Sequence, residues 1–303
     1  MRAQTRRQIA KGSLVFSFAL TLAAPGYSQT RAEPIREHKH ETPPGQCELH
    51  FRTYRDYLVV VQGSLGGKLR RNLIIDTGTD PSIIDRRVAQ ELHMTGAAGT
   101  LAVHDRVVDA EQAVLPSVRI GTLRAESLPV LIRDLGFLQK DLGIRIDGVI
   151  GLDVLSLSNF SIDYTTRRIT FGAAPVYGSS APYQSTPPPW LTVTMEVDGV
   201  PIRLLLDTAA SGLILFQSRI RNRLPLISLG ERMSSNLGGD VRLQRVLVGT
   251  TKLGETDFGQ KNAFVVEDQE DDTREFDGLL GPSALGLKQI AFDFQRHTLS
   301  WEQ

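Results

Sequence analysis

At 303 residues the chain is long for one average domain and suits two. Apolar residues make up 41%, an ordinary globular share that excludes disorder over most of the length. Basic and acidic residues balance at 34 each, so the basic excess that a nucleic-acid footprint needs is missing. Cys47 is the single cysteine, which excludes an intramolecular disulfide and cysteine-based zinc clusters. Its neighbours Gly45, Gln46 and Glu48 supply no activating base, so it reads as a bystander.

The N-terminus reads as a targeting segment. Arg2, Arg6, Arg7 and Lys11 precede an apolar run over residues 13–24, and Gly26 and Ser28 are small enough for cleavage before Gln29. That run is too short to span a bilayer comfortably. Residues 1–28 are therefore predicted to be a signal peptide, and residues 5–11 also resemble a twin-arginine export motif. Removing four positive charges and no acid leaves 30 basic against 34 acidic residues, net −4. The expected product is exported, periplasmic or extracellular, with no stable membrane insertion after signal removal. Residues 29–50 form a polar leader with Pro34, Pro43 and Pro44. Its basic cluster of His38, Lys39 and His40 reads as part of a solvated leader and not as a metal site.

From Phe51 the patterning becomes that of a folded domain. A β-branched strand over 57–61 leads to glycine-rich residues 63–67. A second strand over 72–75 runs straight into Asp76, Thr77, Gly78, Thr79 and Asp80. A carboxylate at the end of a buried strand is costly unless something uses it. Asp85 is placed to cap a short helix over 86–92, with Val88, Ala89 and Leu92 on one face. The small residues 96–100 break the pattern, and short strands follow near 107–108, 117–120 and 129–132. Short strands at this spacing point to an all-β sandwich or barrel.

An internal repeat organises the whole chain. Residues 147–171 align without gaps on residues 277–301, sharing Asp147/Asp277 and Asp163/Asp293 and matching apolar to apolar at most other positions. The strand ending in Asp76 recurs as Leu204, Leu205 and Leu206 followed by Asp207, Thr208, Ala209 and Ala210. Asp76 and Asp207 lie 131 residues apart, and Asp147 and Asp277 lie 130 apart, so one domain is present twice. The lobes are predicted over 51–172 and 190–303, joined by a proline-rich linker over 173–189 that carries Pro175, Pro182, Pro187, Pro188 and Pro189. The acidic run over 267–272 lacks the ligand spacing of a calcium loop and reads as a solvated surface loop.

An apolar strand ending in Asp-Thr-Gly, followed some seventy residues on by Val149-Ile150-Gly151 and repeated with Leu279-Leu280-Gly281, resembles an aspartic protease. The likeness is to the bacterial relatives of retroviral proteases within the clan of pepsin, here with two fused lobes. It implies an all-β, bilobal pepsin/retropepsin-like fold of two tandem β-barrel-like lobes with short helices. It also implies a catalytic pair, Asp76 and Asp207, that shares one proton and activates water to hydrolyse peptide bonds, without metal or cofactor. Thr77, Gly78 and Thr208 would support the Asp loops, each threonine reaching main chain of the opposite lobe. Asp80 matches a position that holds substrate main chain, and the turns at Gly96 to Gly99 and at Gly238 and Gly239 would belong to flaps over the cleft, a plain surface hairpin being an equally good reading of each alone. Neither flap region, 94–115 or 230–246, contains an aromatic residue, which favours the retroviral type over the pepsin type. The implied partner is a peptide or protein substrate, and fused lobes complete a site within a monomer.

Ala209 departs from the family pattern of Asp-Thr-Gly. A positive φ there would cost about 1 kcal/mol or more for alanine, and a negative φ would leave only a methyl group crowding the cleft floor. The alternative reading is therefore a catalytically weak or inactive bilobal peptide-binding pseudoprotease. A purely structural β protein leaves the recurring Asp-Thr pair unexplained.

Overall fold

The computed structural model describes residues 20–21, 45–103, 106–172, 174–186, 190–236, 239–268 and 275–303. The expected signal peptide other than Leu20–Thr21, the leader up to residue 44, Gly238 and most of the acidic run lie outside the described residues. Each repeat folds into its own sheet with the same strand order. In the first, Leu58–Leu65 pairs antiparallel with Lys68–Ile75, which runs parallel to Gly148–Ile150. That short strand pairs antiparallel with Ile83–Asp85, which runs parallel to Leu123–Arg133. Arg106–Ile120 and Ala97–Val103 continue the sheet as a hairpin. The second sheet repeats the series with Trp190–Val197, Val200–Leu206, Gly278–Leu280, Leu213–Phe216, Thr256–Val266, Gly239–Leu253 and Ile227–Asn236.

The register is equivalent as well. Ile75 lies opposite Ile150 in the first sheet, and Leu206 lies opposite Leu280 in the second. The Asp147 carboxylate accepts the Asn72 N–H at 2.8 Å, and Asp277 accepts the Arg203 N–H at 2.9 Å. The shared Asp-Gly of the repeat therefore anchors the strand that carries each Asp loop. Asp147 is half-enclosed by Arg71 and Arg87, and Asp277 is paired with Arg223.

A third sheet of six strands joins the lobes. At its centre Phe160–Asp163 pairs antiparallel with Gln289–Asp293, Phe160 facing Phe292 and Ile162 facing Ile290. Phe160 and Ile162 are the repeat equivalents of Ile290 and Phe292, so this pairing is self-complementary about a pseudo-twofold axis. The rings of Phe160 and Phe292 stack with centroids 4.6 Å apart. Two parts of the chain read as leader and linker add strands here. Cys47–His50 pairs with Arg168–Phe171, and Ser179–Pro182 pairs with Thr298–Glu302. Among the described residues no helix is long and apolar enough to cross a membrane.

The Asp85 cap forms as expected, its carboxylate accepting the Arg87 N–H at 3.1 Å over the helix Arg86–Glu91. Residues 96–100 differ from expectation. Residues 97–100 belong to the strand Ala97–Val103 rather than to a turn, and that strand pairs antiparallel with Arg106–Ile120. The small residues make room across the strands. A Cβ on Gly96 would lie 2.8 Å from Glu111 Cβ, and one on Gly99 would lie 2.8 Å from Gln112 Cγ. In the second lobe the hairpin reverses between Asn236 and Gly239, whose φ of +106° suits glycine.

Phe160→Ala should lower stability by about 3–5 kcal/mol in urea unfolding, because the side chain is fully buried at the joint between lobes. Leu69→Ala, at a side chain 77% exposed, should change it by less than about 0.5 kcal/mol.

Candidate active site

Apolar strands deliver both Asp loops to one place. Leu73, Ile74 and Ile75 are buried ahead of Asp76, as are Leu204, Leu205 and Leu206 ahead of Asp207. The Asp76 N–H donates to the Ile150 carbonyl at 3.0 Å, and the Asp207 N–H donates to the Leu280 carbonyl at 3.1 Å. Both carboxyl residues are 0% exposed.

Four reciprocal hydrogen bonds join the loops. The Thr77 hydroxyl donates to the Leu206 carbonyl at 2.9 Å and accepts the Thr208 N–H at 3.1 Å. The Thr208 hydroxyl donates to the Ile75 carbonyl at 2.9 Å and accepts the Thr77 N–H at 3.1 Å. Each hydroxyl thus uses its donor and an acceptor across the lobe junction, where water is excluded. Unmade bonds would be costly there.

The glycine of each apolar-apolar-Gly segment has a steric cause. A Cβ on Gly151 would sit 2.2 Å from the Thr79 carbonyl oxygen, and one on Gly281 would sit 2.1 Å from that of Ala210. The Asp loop therefore lies directly on this backbone. Gly78 is equally constrained, since a Cβ there would lie 2.6 Å from Asp207 Cγ and 2.8 Å from its Oδ2. The carboxyl of one lobe packs on the loop of the other.

Ala209 keeps the geometry that a glycine would give. Its N–H donates to Asp207 Oδ1 at 2.8 Å, the same length as the Gly78 N–H to Asp76 Oδ1. Its φ is not positive, so the strain that alanine would suffer in a left-handed conformation does not arise. The crowding of a buried methyl group remains.

The lobes differ at the next residue. The Thr79 hydroxyl donates to Asp76 Oδ2 at 2.6 Å, whereas Ala210 carries no hydroxyl. Burial foremost, then the charge of Asp207, holds the Asp76 carboxyl well above the usual range. The hydrogen bonds from Thr79 and Gly78 pull it the other way, and one shared with Asp207 raises it further.

Asp80 stands beside Asp153. Burial and then the Asp153 charge push its carboxyl up to about 7. Asp153 is itself raised, mainly by burial, while accepting the Ser82 N–H at 2.8 Å and the Ser82 hydroxyl at 2.6 Å. The Ser82 hydroxyl also accepts the Gly151 N–H at 2.9 Å, tying the Asp loop to the strand beneath it. Sequence reasoning passed over Thr79 as a partner of Asp76, and over Ser82 and Asp153 entirely. One signal was present: Gly151-Leu152-Asp153 aligns with Gly281-Pro282-Ser283, so the acid occurs in one lobe only. Gly239 opens a strand of the second flap hairpin, and Gly238 lies outside the described residues. Among the described residues no three His, Cys, Asp or Glu side chains gather as a metal cluster would require.

The aspartyl protease family model matches the chain twice, over residues 61–154 and 193–284, together more than half of its length. The chain belongs to the aspartyl protease family. Each match contains one Asp loop and the apolar-apolar-Gly segment beneath it. No curated protein matches the sequence. Among solved structures, the crystal structure of basic 7S globulin from soybean is similar at 12% identity and a TM-score of 0.47, over 86% of this chain and 95% of that one.

Two outcomes are expected. A carboxyl whose folded pKa lies above its unfolded value binds its proton more tightly when folded. Its contribution to stability is therefore full below the unfolded pKa and lost as pH rises through the folded one. For Asp80 that window runs from its ordinary 3.8 to about 7, so unfolding free energy should fall with pH across it, and less steeply in Asp80→Asn. Equal slopes in urea titrations of the two proteins would contradict this. Gly78→Ala should lower the unfolding free energy by about 1–3 kcal/mol in urea titrations, because a Cβ there must displace the Asp207 carboxyl.

Proposed function

We propose that the protein is an exported aspartic endopeptidase that hydrolyses peptide bonds with Asp76 and Asp207 as its catalytic pair. The observation that carries this reading is the reciprocal threonine junction. It brings two buried carboxyl groups, one from each repeat, together about a pseudo-twofold axis. Two carboxyls in such contact cannot both ionise cheaply, so the pair holds one proton between them. The pair titrates as a unit, so the acid and base roles belong to the dyad and not to either residue.

The ionised carboxylate takes a proton from water as the water oxygen attacks the scissile carbonyl carbon. The protonated carboxyl gives its proton to the carbonyl oxygen. Collapse of the tetrahedral diol expels the amine, which leaves with a proton, and the new carboxyl product departs. An extended peptide would lie between the two flap hairpins as an added strand. Export is supported by the basic and apolar N-terminal pattern, which points to the periplasm or the exterior. The fused lobes supply both carboxyls within one chain, which supports a monomer. Asp80, Gly238 and Gly239 are assigned to peptide contact by the family resemblance alone.

The second reading, a peptide binder with weak or no turnover, rests on the buried methyl of Ala209. It differs in one respect: Ala209→Gly would then create activity.

On a peptide library assayed from pH 3 to 7, Asp76→Asn and Asp207→Asn should each lower kcat by about 1,000-fold or more, because paired catalytic groups act as a unit. Peptide affinity should survive in both variants. Unchanged cleavage in either variant would remove that residue from the mechanism.

A further inference from the structure

Arg232 stands on the second flap hairpin. It lies on the strand Ile227–Asn236, directly opposite Leu243, which is in turn opposite Val266. Leu243 and Val266 are buried in an apolar cluster that also holds Tyr57 and Leu58 of the first lobe and Trp190, Ala209 and Ala210 of the second. That face of the hairpin therefore looks toward the seam where the Asp loops meet.

The Arg232 guanidinium carbon sits 5.6 Å from the ring centroid of Phe264. Phe264 lies opposite Ile214 in the neighbouring strand, and its ring edge would be 3.8 Å from a Cβ on Gly212, five residues past Asp207. The cation is thus stacked on the wall beside the second Asp loop.

Two of its nitrogens, Nε and Nη2, are buried and make no hydrogen bond. The charges that reach it from neighbouring elements include Arg245 on its own hairpin and Arg55 of the opposite lobe, both repulsive. Tyr57 is the one group among these that favours the cation. Glu231, next in sequence, pairs instead with Arg242. A partly buried guanidinium with two idle nitrogens and cationic neighbours is costly to maintain. The cost is recovered when a carboxylate meets its planar fork of donors.

We propose that Arg232 receives a carboxylate of the bound peptide on the second-lobe side of the cleft, and that it sets a preference for acidic substrates. Arg55 and Arg245 strengthen the local positive field, and the apolar cluster around them favours apolar residues next to the acid. This rests on the peptide-cleft reading above, but not on turnover. The carboxylate can come from an acidic side chain or from the C-terminus of the peptide.

The test uses the full mature chain carrying Asp207→Asn, with fluorescence anisotropy as the readout. One arm scans Glu against Gln along C-terminally amidated apolar peptides. The other compares free and amidated C-termini on a peptide without acids. At one Glu position or at the free C-terminus, affinity should rise about tenfold over the neutral counterpart. Arg232→Gln should abolish the gain and Arg232→Lys should keep part of it, with circular dichroism unchanged. Equal affinity for acidic and neutral peptides, a preference that survives Arg232→Gln, or no peptide binding at all would overturn the proposal. Cleavage by wild type without an acidic preference would sink this assignment and leave the protease reading intact. Arg232-dependent binding without cleavage would do the reverse.

Discussion

The structure depends on one junction. Two threonine hydroxyls, Thr77 and Thr208, each bridge to main chain of the opposite repeat in a region that excludes water. Without that exchange, two carboxyl groups at 0% exposure would have no reason to sit side by side. The self-complementary pairing of Phe160–Asp163 with Gln289–Asp293 holds the same axis from the other end of the molecule. The hydrogen-bonded junction and the apolar joint constrain one relation between lobes. Strain at either should therefore be felt at the Asp76 and Asp207 carboxyls.

Around this axis the symmetry is broken in ways that bear on chemistry. Gly78 has no space for a side chain because the Asp207 carboxyl fills it, while Ala209 occupies the matching position without losing the N–H bond to its own Asp. Thr79 gives Asp76 a hydroxyl donor that Ala210 cannot provide at the other Asp loop. Asp80 and Asp153 add a second pair of acids beside the first Asp loop, one of them raised to about 7. The first difference is steric and the others concern the electrostatics of a carboxyl group, while the strand order is shared by the two lobes.

Much of this was legible in the sequence because duplication makes signals add. The common offset of the Asp-Thr and Asp-Gly motifs located both lobes, and Asp147 and Asp277 turn out to anchor equivalent strands. The threonine exchange was reachable only through family resemblance, since nothing in spacing says which backbone a hydroxyl will meet. Residues 96–100 were misread because small residues signal turns locally. Here residues 97–100 sit in a strand whose neighbours Glu111 and Gln112 need the room. Cys47–His50 was missed as a strand because its partner, Arg168–Phe171, is remote in sequence. Thr79 and Asp153 could not be assigned for a related reason: their roles depend on contacts that hydropathy does not encode.

The central claim is that Asp76 and Asp207 are one buried, proton-sharing unit. Carbon-13 NMR titration of aspartate carboxyls, with Asp76→Asn and Asp207→Asn used to assign the two signals, measures this without reference to any substrate. The account predicts that the pair keeps one proton well above the ordinary carboxylate range, and that both signals respond together as it leaves. Two independent titrations, each near the value of an exposed aspartate, would contradict it.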